Sequence, residues 1–172
     1  MSFVEMLGLA VQPPSQARPG ERLYPPVAAR LSSDMSIYEQ LSNIWAVATL
    51  VHQSGEVLED RLGGKVADSA HPMPDSGHHH SHSSGSQSEK DRAYFYFPDL
   101  SIHEPGHYQI RVSLMQMDYS CDTAPDGLVR VCEYVDSRSI VIEDRAENAR
   151  PSKHVKARRQ ICQSKKTKLD NR

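Results

Sequence analysis

The sequence predicts an all-β protein, an antiparallel β-sandwich. Three observations predict it. Six or seven short segments are rich in Val, Ile, Leu, Phe and Tyr, Gly/Pro turn signals separate them, and no segment sustains a strong helical period. The 172 residues suffice for one domain of ordinary size with tails. Hydrophobic residues make up 38% and mean hydropathy is −0.59, so part of the length is expected to lie outside a packed core.

The opening MSFVEMLGLAV (1–11) is mildly apolar, carries Glu5 and lacks the positive n-region of a secretory signal, so it is expected to be a mobile leader. QPPSQARPGERLYPP (12–26) holds five prolines and predicts an extended entry segment. VAARL (27–31) suits a short strand. SSDMSIYEQLSN (32–43) is polar and fits a loop or one helical turn capped by Ser33 or Asp34. IWAVATLVHQSGEVL (44–58) is apolar on both faces of a strand, with Ile44, Ala46, Ala48 and Leu50 on one side and Trp45, Val47 and Val51 on the other. A buried central strand ending in a turn at Ser54-Gly55 is expected. A weaker strand is expected within LGGKVADSA (62–70).

Residues 71–92 are almost entirely Pro, Ser, Gly, His and charge, the composition of a disordered insertion. The imidazoles of His78, His79, His80 and His82 have the chemistry of metal ligands, but a Ser/Gly-rich loop offers no rigid support for a site, so no metal is expected. The pattern then turns to β. Tyr94 to Phe97 reads as a strand stopped by Pro98, with Leu100 and Ile102 extending it past a kink. Glu104-Pro105-Gly106 suits a type II turn. Beyond it Tyr108, Ile110, Val112 and Leu114 share one face, and Gln109, Arg111 and Ser113 the other, the alternation of a half-buried strand. LVRVCEYV (128–135) sets Val129, Val131 and Glu133 opposite Leu128, Arg130 and Cys132, and SRSIVIED (137–144) completes the series.

Net charge is −2, but it is unevenly distributed: residues 145–172 carry +8 and the first 144 carry −10. A basic tail on an acidic body points to an anionic partner or a nuclear-import signal for the tail. Its clusters Lys156/Arg158/Arg159 and Lys165/Lys166/Lys168, joined by a short spacer, resemble a bipartite import signal. Cys121, Cys132 and Cys162 are odd in number and form no C-x-x-C pair, which argues against a disulfide framework or zinc site and fits a reducing compartment. No run approaches the roughly eighteen apolar residues of a membrane helix. There is no G-x-S-x-G, H-E-x-x-H, P-loop or Rossmann fingerprint. His103 and His107 flank a turn instead of sharing a helix face, and Asp99 reads as a turn-capping acid. No catalytic residue, cofactor or enzymatic activity is expected.

One block goes beyond composition. Residues 93–117, AYFYFPDLSIHEPGHYQIRVSLMQM, closely resemble the signature of the fungal velvet-domain regulators, F-x-F-P-D-L-S-(V/I)-x-x-x-G-x-(Y/F)-x-(L/I)-R-(F/V)-x-L. It is carried here by Phe95, Phe97, Pro98, Asp99, Leu100, Ser101, Ile102, Gly106, Tyr108, Ile110, Arg111, Val112 and Leu114. QARPGERLYPPVAARL is similar to the family's entry segment, WAVATLV to its next core strand, and SRSIVIEDRAENARPS to its closing strand. From Val155 onward the chain departs from the family pattern of an acidic, leucine-bearing helix and a final strand.

The resemblance implies an immunoglobulin-like sandwich of Rel-homology type over residues 12–155, followed by the basic tail 156–172. It implies a nuclear transcriptional regulator of development, sporulation and secondary metabolism. The implied partners are duplex DNA, other velvet-family proteins as homo- or heterodimers, and a nuclear import receptor; no membrane is implied. Arg18 and Arg22 match the family's DNA-contacting basic residues before the Pro-Pro step, with Arg30 a weaker candidate beyond it. Glu21 offsets part of this charge, so an adaptor that pairs with other velvet proteins without reading DNA is the alternative.

Overall fold

In the computed structural model the chain is described over residues 6–33, 41–73, 91–119 and 127–144. Period-two alternation sorts its strands into sheets that share one interior. The first sheet has four strands in the order β1 (Met6–Val11), β3 (Val27–Ser33), β9 (Asp91–Phe97) and β8 (His71–Pro72). The second has seven and is built around β4 (Ile44–His52) and β11 (Gly106–Asp118), which pair antiparallel from Tyr108↔His52 to Gln116↔Ile44. The outer edge of β11 is shared by β13 (Ile140–Ile142) and β12 (Leu128–Asp136), and β13 in turn pairs parallel with β2 (Gln16–Ala17). The far edge of β4 is shared by β5 (Val57–Leu58) and β7 (Ala67–Ser69). A two-stranded ribbon joins β6 (Leu62–Gly63) to β10 (Ser101–Ile102). Among the described residues there is no α-helix, only a 3-10 turn at Leu41–Asn43.

Both main sheets turn their apolar phase inward. Val27, Ala29, Leu31, Ala93, Phe95 and Phe97 come from one, and Ala46, Ala48, Leu50, Ile110, Val112, Leu114 and Ile140 from the other. Phe95 and Phe97 are fully buried, and burying a phenyl ring contributes about 1.5–3 kcal/mol. The chain is an all-β sandwich, as the alternation and the turn signals predict.

Several expectations need correction. Met6–Val11 is not part of a mobile leader: it forms β1 against β3, with Leu7 buried in the core. The 62–70 segment divides into β6 and β7, which join different sheets. The expected insertion 71–92 is bounded more tightly, because His71–Pro72 and Asp91–Arg92 lie in strands; the histidine tract falls outside the described residues. Ser101–Ile102 does not prolong the Tyr94–Phe97 strand but leaves it to pair with β6. Gly106 has φ of 155°, far from a type II turn, and opens β11 directly. Tyr108 folds back there to donate its hydroxyl to the Pro105 carbonyl at 3.2 Å. Asp99 does not cap its own turn; its carboxylate accepts the Lys65 N–H at 2.8 Å. Trp45 and Val47 are half-buried on the outward face of β4, not in the core.

The β12 strand carries a bulge. Leu114 pairs with Glu133 and Met115 with Val131, so Cys132 is the extra residue of the bulge. The bulge separates Glu133 from Val129 and Val131, which simple alternation places on one face. Glu133 turns inward and accepts the Leu7 N–H of the opposite sheet at 3.0 Å. Val129 and Val131 turn outward with Tyr134, each more than half exposed.

A second carboxylate joins the sheets at the other side. Asp68 on β7 is buried and accepts the Tyr96 N–H of β9 at 2.7 Å, the Lys65 ammonium at 2.5 Å and the His71 ring at 3.1 Å. Burial alone raises its carboxyl; the Lys65, Tyr96 and His71 contacts outweigh burial and hold it below its ordinary value of 3.8. Its stabilisation is therefore complete above that value and is lost as pH falls through the lower folded value. Asp68→Ala strands the Tyr96 N–H and is expected to cost about 2–4 kcal/mol in urea unfolding at neutral pH. The gap between variant and wild type should narrow below about pH 3.8; a gap independent of pH would contradict this role for the carboxylate.

Candidate nucleic-acid interface

The entry segment is held on two sides by backbone hydrogen bonds. The Val141 N–H donates to Ser15 O at 2.9 Å and the Glu143 N–H to Ala17 O at 3.2 Å. On the other side Gly20 N–H reaches Ile102 O and Leu23 N–H reaches Leu100 O, both at 2.8 Å, around an Arg22↔Ser101 bridge. Arg18-Pro19-Gly20-Glu21 is the tight turn between these anchors: the Glu21 N–H donates to Arg18 O at 3.2 Å, and Gly20 has φ of 75°. Proline second and a positive-φ glycine third make this a type II turn. His103 lies against it, about 3.5 Å from where a Gly20 side chain would begin. Leu23 is buried and anchors the segment in the core, while Tyr24 before the cis bond to Pro25 is 83% exposed.

This scaffold presents Arg18 and Arg22 to solvent on one short loop. Their surroundings are mixed in charge. Arg18 Nη1 lies 3.9 Å from Glu21 Oε1, both side chains more than half exposed, so the attraction is weak and screened. A shallow cleft of about 250 Å³ runs beside them, lined by Gln16, Ala17, Arg18, Glu21 and Glu143, with Gln16 hydrogen-bonded to Glu143. Two carboxylates thus face the same cleft as Arg18. Arg22 has no ion-pair partner among the described residues.

Arg30 is not on this loop. It projects from the outward face of β3, directly opposite Tyr94 of β9. The fold therefore brings Arg18 and Arg22 together and sets Arg30 on a sheet face. Lys156, Arg158, Arg159, Lys165, Lys166 and Lys168 lie outside the described residues. His103 faces the entry turn, whereas His107 is exposed on β11 opposite Val141. Among the described residues no group of three His, Cys, Asp or Glu is placed to hold a metal ion. Cys132 donates its thiol to Gln116 Oε1 at 3.6 Å.

One feature escapes a linear reading and another is legible in it. Asp68 sits in a polar segment with no motif, and only folding gives its carboxylate the Tyr96 N–H. Arg92, Tyr94 and Tyr96 alternate with Ala93, Phe95 and Phe97, so their outward phase is written in the sequence.

The framework is a β-sandwich whose entry loop presents Arg18 and Arg22 to solvent. The velvet signature lies in that framework: Phe95, Phe97 and Leu100 in the core, Gly106 at the start of β11, and Tyr108 to Leu114 along it. The family model described as Velvet factor matches residues 10–162. The chain belongs to the Velvet factor family, a family of regulators. A search of curated proteins finds no match.

Proposed function

We propose that the chain is a nuclear transcriptional regulator that binds duplex DNA through its entry loop and pairs with a second velvet domain. By family analogy its targets are fungal development, sporulation and secondary metabolism. The observation that carries the DNA reading is the two-sided anchoring of the 15–23 loop, which holds Arg18 and Arg22 exposed on a backbone already ordered before binding. Arginines so placed neutralise phosphates, while base readout needs further side chains. The tail clusters supply nuclear import through an import receptor, and no cofactor takes part.

Dimerisation is assigned to the outward face of the seven-stranded sheet. Trp45, Met115 and Val131 form one row across it, and Val47, Ser113 and Tyr134 the next. Arg111 flanks them, paired bidentately with Asp136 at 2.7 and 2.8 Å and lying 4.1 Å over the Tyr134 ring. A half-exposed apolar row rimmed by a satisfied ion pair has the anatomy of an interface. The adaptor alternative is favoured by one observation, the carboxylates of Glu21 and Glu143 beside Arg18, which repel a phosphate backbone.

Duplex binding by the purified chain at two salt concentrations separates these readings. A direct binder loses affinity with salt, and Arg18→Ala/Arg22→Ala reduces the log–log salt slope by about 1.8; a folded chain without measurable duplex affinity at low salt is the adaptor. In the direct binder, Glu21→Gln should raise affinity severalfold, because it frees Arg18 and removes a like charge from the phosphates. Val131→Asp, on an exposed position, should shift the chain from dimer to monomer in light scattering with its melting temperature little changed. A dimer that persists would exclude this face.

A further inference from the structure

The outward face of the four-stranded sheet carries side chains that neither the core nor the entry loop explains. Its two central strands are β3 and β9, paired over seven residues from Val27↔Phe97 to Ser33↔Asp91. Their outward positions are Ala28, Arg30 and Ser32 on β3, and Arg92, Tyr94 and Tyr96 on β9. These hold two arginines and two tyrosines and no carboxylate, in a chain whose first 144 residues sum to −10. Arg30 and Arg92 are exposed, and Tyr94 and Tyr96 are 38% and 43% exposed.

The rings stand on rigid backbone. β9 is a central strand, hydrogen-bonded to β3 on one side and to β8 on the other. Where β8 ends, the Asp68 carboxylate takes the Tyr96 N–H. His71, opposite Tyr94 on β8, stacks on its ring with centroids 5.1 Å apart and planes inclined by 27°. On the other side of Tyr94 lies Arg30, and beyond it Gly8 of β1, where a side chain would meet nothing within 4 Å. The row thus runs from open floor to guanidinium to stacked rings.

Strand propensity accounts for tyrosine on an outward face, but not for two arginines beside the rings with no acid among them. An acidic peptide would satisfy the guanidiniums and leave the rings unused. A duplex offers phosphates, yet its bases are stacked on one another and closed to a tyrosine ring. An unpaired strand offers phosphates and free base faces together. Strand-borne aromatics flanked by cations are the form of a stacking platform, in which the rings take bases and the cations take the backbone.

We propose that the outward face of β3 and β9 binds single-stranded nucleic acid, with bases stacking on Tyr94 and Tyr96 and phosphates neutralised by Arg30 and Arg92. This site is distinct from the entry loop and does not rest on the duplex reading. It gives Arg30 a role apart from Arg18 and Arg22.

The test is fluorescence anisotropy with a labelled oligo-dT strand of about a dozen nucleotides, added to the full chain at low salt. The wild type is expected to bind. Tyr94→Ala/Tyr96→Ala should weaken binding by about tenfold or more, and Tyr94→Phe/Tyr96→Phe should retain it, since a phenyl ring still stacks. Arg30→Gln/Arg92→Gln should lower the log–log salt slope by about 1.4, at about 0.7 per phosphate contact for single strands. This arginine variant keeps the test decisive if the double alanine variant fails to fold. Arg18→Ala/Arg22→Ala should leave oligo-dT binding intact, so failure of the entry-loop reading remains a separate result. Absence of binding by the folded wild type overturns the proposal. So does equal binding by the folded Tyr→Ala variant with an unchanged slope in the arginine variant, which would assign the affinity to the basic tail.

Discussion

A buried carboxylate needs partners, and Asp68 finds them on both sides of the sandwich. Its backbone belongs to β7 on the seven-stranded sheet, while its side chain completes the ladder of β9 in the four-stranded sheet. The chain crosses between the sheets at Ala70, immediately after this contact, so the carboxylate closes the tight crossover from β7 to β8. Lys65 and His71 supply the positive and polar contacts that make an ionised group tolerable there. Glu133 does the corresponding work at the opposite edge, where it takes the Leu7 N–H of β1. Between these two fastenings lies the apolar interior, which supplies most of the stabilisation but is non-directional. The carboxylates help set which edges meet.

That fastening bears on both candidate surfaces. The entry loop depends on Leu100 and Ile102, whose side chains are buried and whose carbonyls take Leu23 and Gly20. The velvet signature therefore acts first as a scaffold: Leu100 and Ile102 seat the loop, and Gly106 leaves room for the Tyr108 ring to fold back on Pro105. The arginines that would meet nucleic acid lie upstream of the signature, on a segment it supports. The sheet face of Tyr94 and Tyr96 depends on Asp68 through the Tyr96 N–H, so one carboxylate secures the crossover and stiffens the tyrosine strand.

Charge is arranged along the same lines. Arg61, Lys65 and Arg111 are paired with Glu104, Asp68 and Asp136, whereas Arg18 and Arg22 sit on the entry turn and Arg30 and Arg92 on the outward face of β3 and β9. On the entry turn Glu21 and Glu143 moderate Arg18; on the sheet face nothing acidic accompanies Arg30 and Arg92 at the outward positions of the two strands. The density of uncompensated charge, more than the number of arginines, governs how strongly each surface attracts a polyanion.

Much of this protein is legible in its sequence, because period-two alternation is a local property of a strand. The inward phase of β4, β9 and β11, the stop at Pro98 and the sandwich class all follow from residues read in order. So does the velvet signature, which needs only spacing. The rest depends on contacts between residues distant in the chain. Leu7 becomes core because β3 offers β1 a partner, which composition near the N-terminus does not reveal. Val131 and Glu133 read as one face, and only pairing with β11 shows the bulge at Cys132 that sends them to opposite sides. Asp99 and Asp68 look like ordinary turn and surface acids until folding brings the Lys65 and Tyr96 N–H groups to them. Arg30 looks like a third member of the entry cluster until register sets it beside Tyr94. Local pattern determines which side of a strand is apolar; only the tertiary structure decides which polar group finds which partner, because those hydrogen bonds join residues that the chain itself keeps apart.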